Sequence, residues 1–395
     1  MLNELDQVDW ARLTHAYGAA DDVPDQIRDL VSPDAERRQE ALWELHGNIY
    51  HQGTIYEATA YAIPFLLEVL TAPECDEQPQ LLGLLTSIVV GSDEMWLPGG
   101  LPVADHRVAA VGGEAVLAAA PRPGDDDFDE DEADYGYVEG LSDEDRNRMF
   151  AHVWVRAYDA VRAGVPLFRE LLNSEPSVRC MAAYALAWFP EDAPESLRAL
   201  ANVTEGDEEG VVVATASVAM GLLGGRPTVT LDDPRPIARW GAAIALATVD
   251  GRDATDDVVD ELISAAAGAL PDSDRVPFLE GNLAAYAGGV LRLTGDRHAA
   301  RTFDALLERV PSVSGSSAFH VVKEALHLAF PAGALPSGTG YPSLDDRQRR
   351  LVDGLAGSPG TWLIDGQNFG NFSMLVREYG LPASSEAMRN YAATR

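Results

Sequence analysis

The feature that most constrains the fold is a short pattern that recurs along the chain, in which a proline precedes an arginine and small or apolar residues follow it. Counted from the arginine, these residues stand three, four and seven positions later, on one face of an α-helix. A proline suits a helix start, because the first N–H groups of a helix have no intrahelical partner. The three instances are Pro33 with Arg38, Pro176 with Arg179, and Pro234 with Arg239.

The spacing of this pattern indicates repetition. Arg179 and Arg239 lie sixty residues apart, Val211 starts the same offsets between them, and Val322 starts them again near the end. A repeating unit of about thirty residues, each a pair of helices, follows from this spacing. The predicted fold is therefore all-α: a solenoid of stacked antiparallel helix pairs, in which each pair buries its apolar face against its neighbours.

Apolar periodicity and helix-end signals give approximate helix positions. Thr54 with Glu57 resembles a capping box, and Pro64 is expected to kink the helix that follows. Residues 224–230 are predicted to break the series, and the uncharged stretch from Val211 is predicted to form a buried helix. The predicted helices are 24–31, 34–47, 54–71, 78–91, 148–173, 176–189, 193–203, 208–224, 235–249, 254–269, 274–294, 297–310, 316–330, 344–355, 371–379 and 384–393.

These segments resemble bacterial HEAT-repeat proteins of the HEAT and PBS-lyase-like α-solenoid family. The resemblance rests on the proline–arginine–small-residue helices and on the stretch from His51 to Thr59, followed by Ile63-Pro64-Phe65-Leu66-Leu67. It covers most of residues 23–330. It implies a curved superhelix of the armadillo type that offers a protein-binding surface.

The predicted organisation has four parts. Residues 1–91 hold N-terminal HEAT-like pairs, 92–147 an acidic and partly disordered insertion, 148–330 further repeats, and 331–395 a C-terminal helical cap. Such a cap would cover the apolar end that a repeat array otherwise exposes.

The chain is strongly acidic, with 29 Lys and Arg residues against 63 Asp and Glu residues and a net charge of -34. Clustered basic residues are what phosphate and anionic membranes require, so neither nucleic acid nor a membrane surface is an expected ligand. A basic protein partner is favoured, and its approach would be steered electrostatically. The alternative is that acidity only maintains solubility.

The cysteines and the N-terminus point to a cytoplasmic protein. Cys75 and Cys180 are far apart and belong to no paired motif, so a disulfide framework or a cysteine zinc site is not expected. The first residues lack the features of a secretory signal, and the uncharged stretch from Val211 to Gly225 is too short to span a bilayer.

An acidic run over residues 125–134 resembles a calcium loop only superficially. Asp125, Asp127, Asp129 and Asp131 alternate as calcium ligands do, but Glu130 stands where the loop glycine belongs and Gly136 where the bidentate acid belongs. A solvated or partner-mimicking acidic loop is the preferred interpretation, in which the nearby aromatic residues would anchor to a basic groove.

The remaining polar candidates favour structural roles. His46 and His51 are five residues apart and do not share a helical face, so a turn contact is preferred to a metal site. The repeat arginines are expected to bridge to an acid or a backbone carbonyl of the adjacent turn rather than to bind a ligand. No P-loop, dinucleotide-binding, nucleophile-elbow or zinc-protease motif is present in the sequence.

The function expected from the sequence is therefore a non-catalytic protein-binding scaffold for a basic partner, with no cofactor and no metal. One alternative is an immunity or antitoxin protein that neutralises a basic toxin. Another is a HEAT-type lyase or isomerase acting on a pigment, and self-assembly as a structural module is a further one. The special site is predicted where the 51–59 segment and the insertion face the same groove. The candidate partner-binding residues are His51, Gln52, Tyr56, Glu57, Phe128, Asp129, Asp131, Tyr135 and Tyr137.

Overall fold

A computed structural model describes residues 2–73, 75–126, 128, 135–271 and 273–394, and these residues are predominantly helical, with 67% helix. The predicted all-α class is confirmed at that level. The chain divides into a first unit, Met1–Leu200, and a second unit, Ala201–Arg395. The four-part organisation expected from the sequence remains a prediction.

The first unit is built around a long helix, α8, that packs against α3, α4, α5 and α6. The α-helices of this unit are α1 (Val23–Asp29), α2 (Ala35–Ile49), α3 (Glu57–Leu70), α4 (Gln78–Val90), α5 (Val103–Ala109), α6 (Gly113–Ala118), α7 (Tyr135–Gly140), α8 (Asp143–Arg162), α9 (Val165–Leu171) and α10 (Pro176–Leu186), and α11 (Ala193–Gly206) covers the junction of the units. Its 3-10 helices are Leu5–Gln7, Trp10–Arg12, Asp93–Met95 and Pro190–Asp192.

The helices of the second unit pack mainly on their sequence neighbours, including α12 on α13, α13 on α14 and α14 on α15. They are α12 (Gly210–Leu222), α13 (Pro236–Asp250), α14 (Asp256–Ala266), α15 (Leu283–Leu291), α16 (Ala299–Arg309), α17 (Gly315–Ala329), α18 (Asp346–Gly357), α19 (Gly370–Glu378) and α20 (Ser385–Ala392). Its 3-10 helices are Gly251–Asp253, Phe278–Gly281, Arg292–Thr294, Asp296–His298, Val310–Ser312, Tyr341–Ser343 and Pro359–Trp362.

Short antiparallel strand pairs form hairpins in the described residues. The first hairpin pairs β1 (Thr14–His15) with β2 (Gly18–Ala19), and the second hairpin pairs β3 (Tyr50–His51) with β4 (Thr54–Ile55). The third hairpin, in the second unit, pairs β5 (Leu363–Ile364) with β6 (Gln367–Asn368).

The repeat arginines make the contacts that the sequence predicts. Each one donates a hydrogen bond to a backbone carbonyl in the turn that precedes its own helix. The bonds run from Arg38 to Ser32, from Arg179 to Ser174 and from Arg239 to Asp233, at 3.0, 2.7 and 2.9 Å. Arg38 also pairs with Glu77 at 2.8 Å, and Arg239 with Glu261 at 3.3 Å. A planar guanidinium suits such bridging, and the pattern thereby ties each helix to its turn.

The core of the second unit contains α12, whose residues 211–221 are all buried, as predicted for this stretch. It lies very close to α13. A Cβ atom added at Gly241 would stand 2.6 Å from the Cα of Ala214, and one added at Gly221 would stand 2.6 Å from the Cα of Ala245. Since real Cβ contacts are longer, both positions require glycine for the backbones to approach.

Three of the predicted helices are wrong in extent, each for a local reason. The helix predicted from residue 54 begins at Glu57, because Thr54 belongs to the second hairpin, and the predicted Thr54–Glu57 capping box is therefore wrong. The helix predicted over 148–173 is two helices, since Pro166 cannot continue the first one. The helix predicted over 274–294 is replaced in its first half by a turn with left-handed backbone at residues 279–281.

The segment predicted as an insertion, residues 92–147, is more structured than its composition indicated. It contains α5, α6 and α7, and α8 begins within it at Asp143. Residues 127 and 129–134, where disorder was predicted, lie outside the described part of the chain. The three predicted C-terminal helices are present as α18, α19 and α20, while their role as a cap stays a prediction. Among the described helices, none is long and apolar enough to cross a membrane.

Candidate functional site

The candidate site lies beside the second hairpin, which follows α2 directly. Its two turn residues, Gln52 and Gly53, have φ angles of 50° and 89°, as a two-residue turn with both central residues left-handed requires. Thr59 fixes the exit from the hairpin. Its Oγ1 donates to the carbonyl of Ile49 at 2.7 Å and accepts the N–H of Tyr56 at 2.9 Å, which caps the start of α3.

The first hairpin lies next to the second. Buried His15 has Nε2 3.0 Å from Asp22, and its Nδ1 accepts the N–H of Tyr17 at 3.1 Å. Asn48 also donates to Asp22 at 2.9 Å. Burial opposes ionisation of Asp22, but the bonds from His15 and Asn48 outweigh it and lower the pKa of this carboxyl below 3.8. The Tyr17 hydroxyl lies 3.3 Å from Nδ1 of His51, so this histidine connects the two hairpins.

A small cavity of about 160 Å³ opens between the hairpins and the insertion. Its walls are mostly apolar, with Glu57 among the polar exceptions. The hairpins and the start of α3 contribute residues 14–16 and 54–57, the insertion contributes Leu117 and Val138, and α8 contributes Met149, Phe150 and Val153. The structure thus places the 51–59 segment and the insertion at the same groove.

An arginine of the insertion pairs with Glu57, which lines this cavity. Arg122 donates to both carboxylate oxygens of Glu57, at 2.8 and 3.1 Å, and to the carbonyl of Arg12 at 3.3 Å. The Glu57 side chain is only 9% exposed. In return, Arg12 donates to the carbonyl of Pro123 at 3.0 Å and to Asp125 at 2.7 Å. We call these four side chains, Arg12, Glu57, Arg122 and Asp125, the latch.

The latch changes the ionisation of its members. The hydrogen bonds to Glu57 outweigh desolvation and raise the pKa of Arg122. The pKa of Asp125 is lowered below 3.8, chiefly by the hydrogen bond from Arg12 and next by the backbone N–H of Arg122. Both shifts favour the charged forms of Arg122 and Asp125.

A larger cavity of about 430 Å³ also borders β4. It is lined by Gly53, Thr54, Ile55, His106, Ala109, Asn147, Phe150, Ala151 and Trp154. The His106 ring stacks on Trp154 with 4.2 Å between ring centroids, and Trp154 in turn stacks on Tyr158 at 5.0 Å. Burial lowers the pKa of His106 below 6.5, so the imidazole is neutral at neutral pH.

Phe150 stands between the two cavities and lines both of them. Its side chain is 43% exposed although its neighbours Met149 and Ala151 are buried. We call the two cavities together with Phe150 the hairpin groove. An exposed aromatic ring flanked by apolar recesses is a typical anchor point at protein interfaces.

The predicted site residues do not all lie at the small cavity. Tyr56 and Glu57 line the small cavity, and His51 contacts Tyr17 at its edge. Gln52 is exposed in the turn of the second hairpin and lines neither cavity. Tyr137 donates to the carbonyl of Val116 at 2.7 Å and so joins α7 to α6.

The aromatic and acidic candidates of the insertion are only partly described. Phe128 is half-buried, and Tyr135 is the first residue of α7. Asp129 and Asp131 lie outside the described residues. Asp125, the first member of the supposed calcium loop, belongs to the latch. Within the described part of the chain, no cluster of three or more His, Cys, Asp or Glu side chains has the arrangement of a metal site.

Sequence reasoning missed Phe150, Arg122, His106 and Trp154. A signal existed for Phe150, since it is an apolar residue off the buried face of an otherwise amphipathic helix. Arg122 stands between two prolines, Pro121 and Pro123, which indicates a rigid loop but does not identify its partner.

Comparisons with known proteins assign no family to the chain. No protein-family model and no curated protein match it. Among solved structures it is similar to an engineered protein whose crystal structure comes from the Northeast Structural Genomics Consortium. The two chains are 16% identical over 95% of this chain and 98% of the other, with a TM-score of 0.26. A TM-score this low does not establish a shared fold.

Proposed function

We propose that the chain is a non-catalytic binding scaffold, a HEAT-like α-solenoid whose hairpin groove holds a basic segment of a protein partner. The observation that carries this proposal is the groove itself: two mostly apolar recesses that both border β4 and share the half-exposed ring of Phe150. A cytoplasmic, HEAT-type protein is the corresponding proposal for location and family.

The packing order of the helices supports the solenoid part of the proposal. In the second unit α12 packs on α13, α13 on α14 and α14 on α15, as stacked units do. In the first unit α4 packs on α10 as well as on α3, which leaves α5, α6 and α7 as an addition to the series. The groove lies where that addition meets the series.

Charge supports a basic partner. The chain carries a net charge of -34. An apolar groove on a chain of this charge fits a segment that presents apolar anchors and flanking cations.

The immunity or antitoxin role is a narrower form of the same proposal, in which the basic partner is a toxin. The acidity of the chain favours it, because charge complementarity speeds capture of a basic enzyme. Inspection of the neighbouring genes tests it: a gene for a basic secreted toxin beside this one supports the role, and its absence counts against it.

Capture of partners by matched variants tests the proposal. Phe150→Ser removes the half-exposed ring of the groove, and Met374→Ser removes another exposed apolar side chain, 56% exposed, from α19 in the second unit. From a lysate of the source organism at low salt, the wild type and Met374→Ser should retain the same basic proteins. Phe150→Ser should lose them, and added salt should weaken the retained complexes.

Equal retention by the wild-type chain and Phe150→Ser would contradict the groove as the binding site. Retention of acidic rather than basic proteins would contradict the charge argument. Met374→Ser should fold as the wild type does, since surface substitutions change stability by about 0.5 kcal/mol or less. Phe150→Ser also removes the buried part of the ring, at a cost of about 1 kcal/mol, so thermal unfolding of both variants checks that each folds.

A further inference from the structure

Glu57 occupies an unusual place for a carboxylate. It is the first residue of α3, its side chain is 9% exposed, and it forms part of the wall of the small cavity. A carboxylate so far removed from water requires a cation close by, since an unpaired charge at such a position is strongly unfavourable. Arg122 supplies that cation from the loop that precedes α7.

The geometry at Glu57 selects a guanidinium group. Arg122 forms parallel bonds to the two carboxylate oxygens, at 2.8 and 3.1 Å. A planar fork can make this bidentate contact, whereas the point charge of a lysine ammonium cannot. The site therefore distinguishes arginine from lysine, and net charge alone does not.

The walls beside Glu57 complete such a site. Ile55, Leu117 and Val138 line the same cavity and offer apolar surface to the methylene stem of a long cationic side chain. Arg122 itself is 28% exposed and is held in its loop position by contacts to Arg12 and Asp125. Because Arg122 lies outside α3, its guanidinium can leave Glu57 once these contacts break, without unfolding of that helix.

We propose that Arg122 is an internal stand-in for an arginine of the partner, and that the partner's arginine binds at Glu57 in competition with it. This inference rests on the proposed function, because it identifies the anchor residue of the basic segment. Before binding, Arg122 neutralises Glu57. On binding, the partner's guanidinium replaces it at Glu57, in the wall of the small cavity of the hairpin groove.

Chemical rescue tests whether the site accepts a guanidinium from outside. Arg122→Ala should lower the melting temperature, and N-ethylguanidinium should restore part of the loss at about 20 mM, far below the molar concentrations at which guanidinium denatures proteins. Ethylammonium should restore little, because it lacks the fork. The double variant Arg122→Ala with Glu57→Gln should show no rescue. Arg146→Ala is the matched control, since it removes an arginine that pairs with the exposed Asp143.

Peptide binding tests the competition. The probes are fluorescein-labelled peptides of alternating glycine with either arginine or lysine, measured by fluorescence anisotropy. Arg122→Ala should bind the arginine peptide about tenfold more tightly than the Arg146→Ala control, which has the same net charge. The lysine peptide should bind both variants equally. Arg122→Lys, which keeps the positive charge, should lie between the wild type and Arg122→Ala and serves if Arg122→Ala does not fold.

Equal affinities of Arg122→Ala and Arg146→Ala for the arginine peptide would overturn the proposal, and so would rescue by ethylammonium as large as rescue by N-ethylguanidinium. Neither result depends on the proposed function, which stands or fails on Phe150→Ser against Met374→Ser. Loss of partner capture by Phe150→Ser with no effect of Arg122→Ala on peptide binding would therefore retain the groove and reject the exchange.

Discussion

The second and third hairpins share one backbone design in different surroundings. Each has strands of two residues, a two-residue turn whose second member is a glycine with positive φ, and an α-helix shortly after the second strand. The turn φ angles are 50° and 89° at Gln52–Gly53, and 51° and 76° at Asp365–Gly366. Such turns match the right-handed twist of paired strands, which explains why both sites use them.

The surroundings differ because residues of the 92–147 segment, predicted as an insertion, lie at the second hairpin. At the second hairpin, β4 lines both cavities of the hairpin groove, and an arginine of the insertion reaches the first residue of α3. At the third hairpin, Ile364 lies against α17, within about van der Waals distance of a Cβ placed at Gly315, and Phe369 contacts Phe319 with 6.2 Å between rings. The second hairpin borders the two cavities, whereas the third hairpin packs against α17.

The cavities and the Arg122–Glu57 contact therefore depend on the residues packed against the hairpin, not on the hairpin backbone. The hairpin supplies a rigid edge, and the residues gathered against it decide what that edge can bind. We therefore expect equivalent changes in the backbones of the two hairpins to cost equal stability. Changes in the latch should affect the second hairpin alone.

The largest effect is expected from breaking the latch. Arg122→Ala leaves the poorly exposed Glu57 without its cation and should destabilise the first unit by about 3 kcal/mol. Urea unfolding of this variant and of Arg146→Ala measures the difference. A loss as small as that of the control, whose partner Asp143 is exposed, would show that Glu57 does not depend on Arg122.

A smaller loss of stability is expected from removing the cap at the start of α3. Thr59→Val keeps the shape of a fully buried side chain but removes its bonds to Ile49 and Tyr56, and should cost about 2 kcal/mol. The corresponding position after the third hairpin is Phe372, which is fully buried and stabilises the fold through its apolar packing. Denaturant unfolding measures the loss, and an unchanged midpoint for Thr59→Val would contradict the cap.

The turn glycines should behave alike in the two hairpins. Gly53→Ala and Gly366→Ala each place a Cβ on backbone with positive φ, in open space, and should each cost about 1 kcal/mol. Thermal unfolding of the two variants checks this equality. A much larger loss at only one of them would mean that the shared backbone design is not the source of their stability.

The smallest effect concerns pH. The pKa of Asp125 is below its ordinary value of 3.8 in the folded chain, so its contribution to stability is present above pH 3.8 and is lost as pH falls through the folded-state pKa. The difference in unfolding free energy between the wild type and Asp125→Asn should therefore shrink as pH falls below 3.8. A difference in unfolding free energy that stays constant down to pH 2 would show that the charge of Asp125 does not stabilise the latch.

Periodicity predicted most of the helices because helix formation depends on residues three and four positions apart. It missed the second and third hairpins, since strands of two residues are too short to show alternation. The Asp365–Gly366 pair did carry a turn signal, and Gln52–Gly53 a weaker one. The meeting of Arg122 with Glu57 could not be predicted, because it depends on how the insertion lies against the helices.

Hydrogen exchange on the chain with its captured partner tests the central claim most directly. Binding at the hairpin groove predicts slower exchange at residues 50–57 and 147–154 in the complex, with residues 363–374 around the third hairpin unchanged. Slower exchange confined to residues 363–374, with no change at residues 50–57 and 147–154, would contradict the account.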